Sequence, residues 1–400
     1  MGAYLSTPIT DKETFEGDGA SIKYGGSSMQ GWRRTMEDAH LAVTALPEDP
    51  NCSLFAIFDG HGGAEVAKFC QRYLVAEFSR LRDAEGVEAA LIKVFHRMDD
   101  MLRDTSRFHT ELEQMKTKES NDDEEADEER SNGTMDALDL LKRVFQLKRF
   151  MGGDGDAPAA NSVSSGSSSA TSDTSNGFRM DESPDPDEGL VQAGCTAVVA
   201  VKQGSDLYVA NAGDSRGVLC RAGKAVALSE DHKPAQEIER SRIIAAGGFL
   251  SEIGGVTRVN GNLNLSRAIG DLKYKSNVEL EAKDQIITAQ PDIMKVPLTP
   301  EDRFFVLACD GVWDVMSNQD VVDFIGSKLD LGMSASAAAC ALLDACLAHD
   351  PKEARGVGCD NMTAVVVQLK PSAGDSSLAA AGAPAAGSAS LPAAAGKPGT

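Results

Sequence analysis

No run of the roughly 18–20 apolar residues that a membrane-spanning helix needs occurs in this chain. The N-terminus lacks a basic stretch followed by an apolar one, so no secretory leader is expected. None of the eight cysteines (Cys52, Cys70, Cys195, Cys220, Cys309, Cys340, Cys346 and Cys359) forms a CxxC pair, which removes the usual ligand spacing of a zinc site. Most stand in apolar runs such as Val306-Leu307-Ala308-Cys309 and read as buried free thiols of a reducing compartment. No cysteine is followed, after five residues, by the arginine of a phosphate-binding nucleophile loop. The two Asp-x-Asp pairs, Asp154/Asp156 and Asp185/Asp187, fall in polar sequence rather than after an apolar strand, so a covalent aspartyl-phosphate route is not expected either. Basic residues are the minority: 39 Lys and Arg against 61 Asp and Glu leave a formal charge of −22, which argues against nucleic acid as a direct partner.

What is present is a 42% apolar composition, enough to bury a sizeable core. Two blocks, about 24–102 and 191–369, carry the ordered patterns. Between them lie an acidic block, where every residue of 122–129 but Ala126 is Asp or Glu, and a Gly/Ser-rich stretch at 161–176. Such sequence cannot bury enough apolar surface to offset its ordering entropy and is expected to be disordered. Within it, Leu138, Leu141, Val144 and Phe145 recur at helical spacing and predict one short amphipathic helix over 135–150. The expected organisation is an N-terminal segment 1–23, a domain 24–369 interrupted at about 104–189, and a flexible Ala/Pro/Gly-rich tail 370–400.

Short apolar runs at 54–58, 196–201, 207–212, 218–221, 304–309 and 363–369 predict strands. Val66, Cys70, Tyr73, Leu74 and Phe78 share a helical face, as do Val87, Leu91, Val94, Phe95, Met98 and Leu102. A third helix is expected between Pro234 and Gly247-Gly248, and a fourth through Val321, Ile325 and Leu329, capped by Asn318. Strands come in runs and helices in pairs, so the fold expected is α+β: two packed antiparallel sheets flanked by helices.

The aspartates fall at the ends of these strands. Asp59 follows 54–58, Asp214 follows 207–212, Asp310 follows 304–309 and Asp360 precedes 363–369; Asp271 closes Ser266-Arg267-Ala268-Ile269-Gly270-Asp271, and Glu37-Asp38 follow Trp32-Arg33. Any one Asp-Gly is an ordinary turn signal; the number of acidic strand ends is what points to a shared site. Clustered carboxylates repel and desolvate at a cost of several kcal/mol unless a cation offsets it. An oxygen-only donor set selects hard cations, Mg²⁺ or Mn²⁺. Paired cations can activate a water for in-line attack on phosphorus. His61, in a glycine-rich turn, is the candidate general acid for the leaving alkoxide. Arg33 is the candidate fork for phosphoryl oxygens.

Taken together, Gly31-Trp32-Arg33 with Met36 to His40, Phe58 to Gly63, Gly194 to Ala197, Asn211 to Gly217, Asp231 to Pro234, Ser266 to Asp271, Cys309 to Val315 and Asp360 to Thr363 resemble, in order, the motifs of the type 2C metal-dependent serine/threonine protein phosphatases. The opening Met1-Gly2-Ala3-Tyr4-Leu5-Ser6, with an acidic insert between the second and third motifs, looks most like that family's gamma isoform. The resemblance implies a four-layer αββα sandwich and phosphoprotein substrates. It implies that Asp59 bridges two Mg²⁺ or Mn²⁺ ions and the Gly60 carbonyl binds one of them. Asp271, Asp310 and Asp360 would hold the other, Glu37 and Asp38 would bind through waters, and Asp214 would share a weaker third ion with Asp271. Arg33 would grip the phosphate and His61 would be the acid, with a variable flap at about 240–264. Gly2 fits an N-myristoylation pattern, a single acyl chain giving only reversible membrane contact. A monomer in cytoplasm or nucleus, with basic partners for the acidic insert, completes the expectation.

Overall fold

The computed structural model describes residues 4–116 and 191–370. The acidic block, the helix expected at 135–150, the tail and Gly2 lie outside the described residues.

Two antiparallel sheets form the centre. The first has the order β1 (Ile9–Asp18), β2 (Ile22–Gly31), β16 (Met362–Leu369), β15 (Asp302–Ala308), β9 (Arg216–Arg221), β10 (Lys224–Ala227). The second has the order β14 (Asp292–Pro297), β8 (Asp206–Ala212), β7 (Ala197–Gln203), β4 (Cys52–Phe58), β3 (Ala39–Val43). Their facing sides interdigitate: Phe55 and Ile57 meet Phe305, Leu307, Val365 and Val367 in one cluster. The alternate residues point outward. Leu54, Ala56 and Phe58 pack under α1 (Glu65–Glu85), α2 (Val87–Arg103) and α3 (Thr105–Met115). Phe304, Val306 and Val366 pack under α6 (Asn318–Asp330) and α7 (Ala335–Cys346). Both faces of each sheet are therefore covered, which is why its central strands read as continuous apolar runs although antiparallel sheets usually alternate. The result is the four-layer αββα sandwich.

Four details differ from the sequence reading. Strand β1 lies within the 1–23 segment; its apolar residues are sparse, and its pairing to β2 across the Asp18-Gly19 turn is what makes it a strand. Helix α3 runs into the stretch expected to be insert, because Phe108 packs on Phe69 and Tyr73 and Leu112, one turn on, is buried in the same cluster. The cap of α6 is Ser317, not Asn318: Ser317 and Asp320 form a reciprocal capping box, while Asn318 accepts from Arg216. The third helix, α4 (Glu237–Ala245), falls within the span expected for it, and the fourth difference comes directly after. A hairpin, β11 (Leu250–Ile253) and β12 (Val256–Val259), follows it.

The small sheet β5 (Gly60–His61), β6 (Gly194–Cys195), β13 (Ile269–Gly270) decides the site. It joins three segments far apart in the chain at the sandwich's acidic end.

Candidate metal centre

Arg33, Glu37, Asp59, Gly60, His61, Asp214, Asp310 and Asp360 line one cleft, together with Thr35, Thr196, Asn264, Leu265 and Asn361. Its volume, about 80 Å³, suits ions, waters and a phosphoryl group rather than an organic cofactor.

Both sheets contribute. Asp59 leaves the end of β4, and its carbonyl accepts from the Thr196 N–H at 2.9 Å. Asp310 opens the short helix α5 (Asp310–Trp313) directly after β15. Asp360 stands just before β16, and its Oδ1 accepts from the Asn361 N–H at 2.8 Å. The 30–37 loop is fastened by Asn361, whose Nδ2 donates to the carbonyls of Gln30 and Thr35 and whose Oδ1 accepts from the Glu37 N–H. Gly60 permits this closure, since a Cβ there would stand 2.3 Å from the Glu37 carbonyl oxygen.

Two expected ligands lie behind the cleft wall. Asp38 is buried, with Oδ2 accepting from Thr363 Oγ1 at 2.6 Å and Oδ1 left without a partner. Asp271, 1% exposed, sits against His61, its Oδ2 2.6 Å from Nε2. The αL backbone of Asp271 (φ 50°) and the small sheet put it there. Gly194 leaves the room: a Cβ would lie 2.3 Å from Asp271 Oδ2 and 2.7 Å from His61 Nε2.

Electrostatically the cluster is frustrated. Burial, followed by the charges of Asp310, Asp38 and Asp360, pushes the Asp59 carboxyl well above the usual range. Burial and then Asp214 and Asp360 do the same to Asp310. Burial carries Asp38 up to about 7, against the pull of its Thr363 hydrogen bond. These are carboxylates placed to be ionised with nothing among the protein groups sufficient to hold them so. An orphaned buried oxygen on Asp38, with donor atoms of Asp38 and Asp59 within 4.8 Å of each other, fits a hard divalent cation. Cys309 Sγ completes that triad in space and accepts from the Thr363 N–H; burial and then Asp38 raise its pKa well above normal, and a thiol is a soft donor that a hard cation selects against in favour of the carboxylate oxygens.

Basic groups counter the cluster from its rim. Arg33 Nη2 donates to Asp360 Oδ2 at 2.6 Å with its side chain 52% exposed. Lys233 Nζ donates to buried Asp214 at 2.5 Å. Burial opposes charge on His61, but Asp271 outweighs it and raises the imidazole pKa.

Sequence reasoning missed Lys233, Asn361 and Thr196 as members of the site. All three stood in the motifs already named, Gly194 to Ala197, Asp231-His232-Lys233-Pro234 and Asp360-Asn361; the signal available was a polar side chain inside a motif that also carries a site residue.

The family model described as "Protein phosphatase 2C" matches residues 22–143 and 143–354. A rice protein (Oryza sativa subsp. japonica) described as "Probable protein phosphatase 2C 11" is 42% identical over 375 residues, covering 92% of this chain and 91% of its own. An Arabidopsis thaliana protein, "Probable protein phosphatase 2C 21", is 40% identical, covering 92% of this chain and 93% of its own. Among solved structures, a Toxoplasma gondii phosphatase shares the fold at 20% identity and TM-score 0.58, covering 90% of this chain and 96% of that one.

Proposed function

Because the chain belongs to the protein phosphatase 2C family and is a metal-dependent serine/threonine protein phosphatase, we propose that its cleft hydrolyses phosphoserine and phosphothreonine without a covalent phosphoenzyme. The observation that carries the reading is the convergence of Asp59, Asp310 and Asp360 from three strand ends onto one small cleft.

Two ions are proposed. Asp59 would serve both and the Gly60 carbonyl one of them; Asp310, Asp360 and Asp271 would serve the other, and Glu37 and Asp38 would contribute through waters. Asp214, with Asp271, would hold a weaker third. When bound, the cations supply Lewis acidity for the attacking water and offset phosphoryl charge. Arg33 lies at the mouth with Asp360 holding one edge of its fork, which orients the other donors for phosphoryl oxygens. Asp271 occupies Nε2 of His61 and favours the imidazolium. Nδ1 is then the ring nitrogen that hands a proton to the departing serine or threonine oxygen.

The test is hydrolysis of phosphopeptide and of DNA with Mn²⁺, with and without chelator. Phosphopeptide turnover that is chelator-sensitive and lost in Asp59→Ala, with the fold retained by circular dichroism, is expected; turnover surviving Asp59→Ala, or DNA cleavage, would reject the site.

Finer features stay with the sequence. The N-terminal hexapeptide and acidic insert support a gamma-type member, a Gly2 acyl group with weak membrane contact, and basic partners for the insert. A monomer is proposed, and a cytoplasmic or nuclear location, the location supported by free thiols that are buried in all but Cys340.

A further inference from the structure

Beneath the small sheet lies a charged pair that the chemistry above does not use. Asp99 on α2 and Lys275 are 6% and 5% exposed, with Lys275 Nζ 2.5 Å from Asp99 Oδ2. A buried pair of this kind is seldom worth more than well-packed apolar residues of the same volume, so its presence asks for another reason. The reason is in its remaining hydrogen bonds. Asp99 Oδ1 accepts from the Gly270 N–H at 2.8 Å, and Lys275 Nζ donates to the Ala268 carbonyl at 2.7 Å. Both bonds fall on the segment that delivers Asp271. That segment turns through the left-handed region: Gly270 has φ 82°, which glycine adopts freely, and Asp271, a non-glycine, has φ 50°, which costs it. It is held on its other side by Asp271 N–H to the Ala193 carbonyl.

We propose that Asp99 and Lys275 are positioning residues for catalysis: they clamp the Ala268–Asp271 turn and thereby fix the Asp271 carboxylate against His61 Nε2. The clamp works through Asp271 and touches no substrate atom. It rests on the reading of His61 as the proton donor, and it makes α2, on the outer face of the five-stranded sheet, part of the acid's mounting. Loss of the clamp lets Asp271 swing from His61, so the imidazole loses its orientation. Asp271 is also a proposed ion ligand, so the ion sites loosen too; with these kept filled by saturating metal, substrates whose leaving oxygen needs a proton still suffer, while an aryl phosphate that expels a stable phenolate loses much less.

The experiment uses the full chain at saturating Mn²⁺ and compares a phosphothreonine peptide with p-nitrophenyl phosphate. Asp99→Leu with Lys275→Met removes the charges and the acceptor for Gly270. Its kcat on the peptide is expected to fall roughly tenfold or more, with KM within about twofold and p-nitrophenyl phosphate losing much less. Asp99→Asn with Lys275→Met keeps an oxygen acceptor for Gly270 and restores most of the peptide rate. Lys275→Arg, a milder change that preserves the charge, gives a smaller but equally peptide-selective loss and covers the case in which the first double variant does not fold. Equal losses on both substrates, or an unchanged peptide kcat in Lys275→Arg and the foldable double variant, overturn the proposal. His61→Gln separates the two ideas. If it too loses both substrates equally, the acid assignment fails; if it is peptide-selective and the Asp99 and Lys275 variants are not, only the clamp fails.

Discussion

At Gly194 the absence of a side chain is what lets two charged groups meet. A methyl group there would press on both Asp271 and His61, and the residue lies in the middle strand of the small sheet, where the backbone has little freedom to yield. Gly194→Ala is expected to lower stability by about 1–3 kcal/mol through overpacking. Phosphopeptide kcat should fall further than that loss explains, read by thermal melting beside steady-state kinetics. An alanine variant with full activity would show that the His61–Asp271 contact is dispensable. Asn361 makes the complementary point with polar atoms. Its one side chain ties three backbone groups of the 30–37 loop, and so sets where Glu37 stands.

At the scale of elements, the helices are held by faces and by caps. The outer helices bury residues such as Phe69, Phe78 and Phe95 on one side and Val321, Ile325 and Leu342 on the other. The capping box of α6 adds a local contribution, Ser317 accepting from Asp320 N–H while Asp320 accepts from Ser317 N–H. Ser317→Ala should cost about 1 kcal/mol and lower Tm by a few degrees, leaving kcat unchanged because Ser317 lies outside the cleft lining. A drop in kcat at saturating metal would mean that the α5–α6 connection steers Asp310. Elements with a dense apolar period, such as α1, α2 and β15, were legible from residue spacing alone. Strand β1 and the 250–259 hairpin were not, because few of their side chains are fully buried and their identity comes from a hydrogen-bonded neighbour.

For the whole molecule, the carboxylates sit where the two sheets end together, so metal and fold are coupled. Asp38, raised to about 7 by burial, exceeds the value of about 3.9 that an unfolded aspartate has. A carboxyl raised on folding stabilises the folded state fully only below its unfolded pKa, and that contribution disappears as pH rises through 7. Metal-free protein is therefore expected to lose Tm between pH 5 and pH 8, and millimolar Mg²⁺ or Mn²⁺ should restore more at pH 8 than at pH 5, with proton release on binding. Differential scanning calorimetry in chelator and in metal checks this; an equal metal effect at both pH values would place the cation away from the buried cluster.

The linear order of residues by itself determined the fold class, the placing of aspartates beside strand ends and the lack of a Cys-x5-Arg motif, because apolar period, motif spacing and side-chain type are local properties. Only the tertiary structure decided that Asp271 faces His61, that Arg33 engages Asp360 and that Lys233 engages Asp214. Those pairings join residues 19 to 327 positions apart. Sheet register and the three short strands around Gly194 select them, and no local preference in the chain specifies such long-range neighbours.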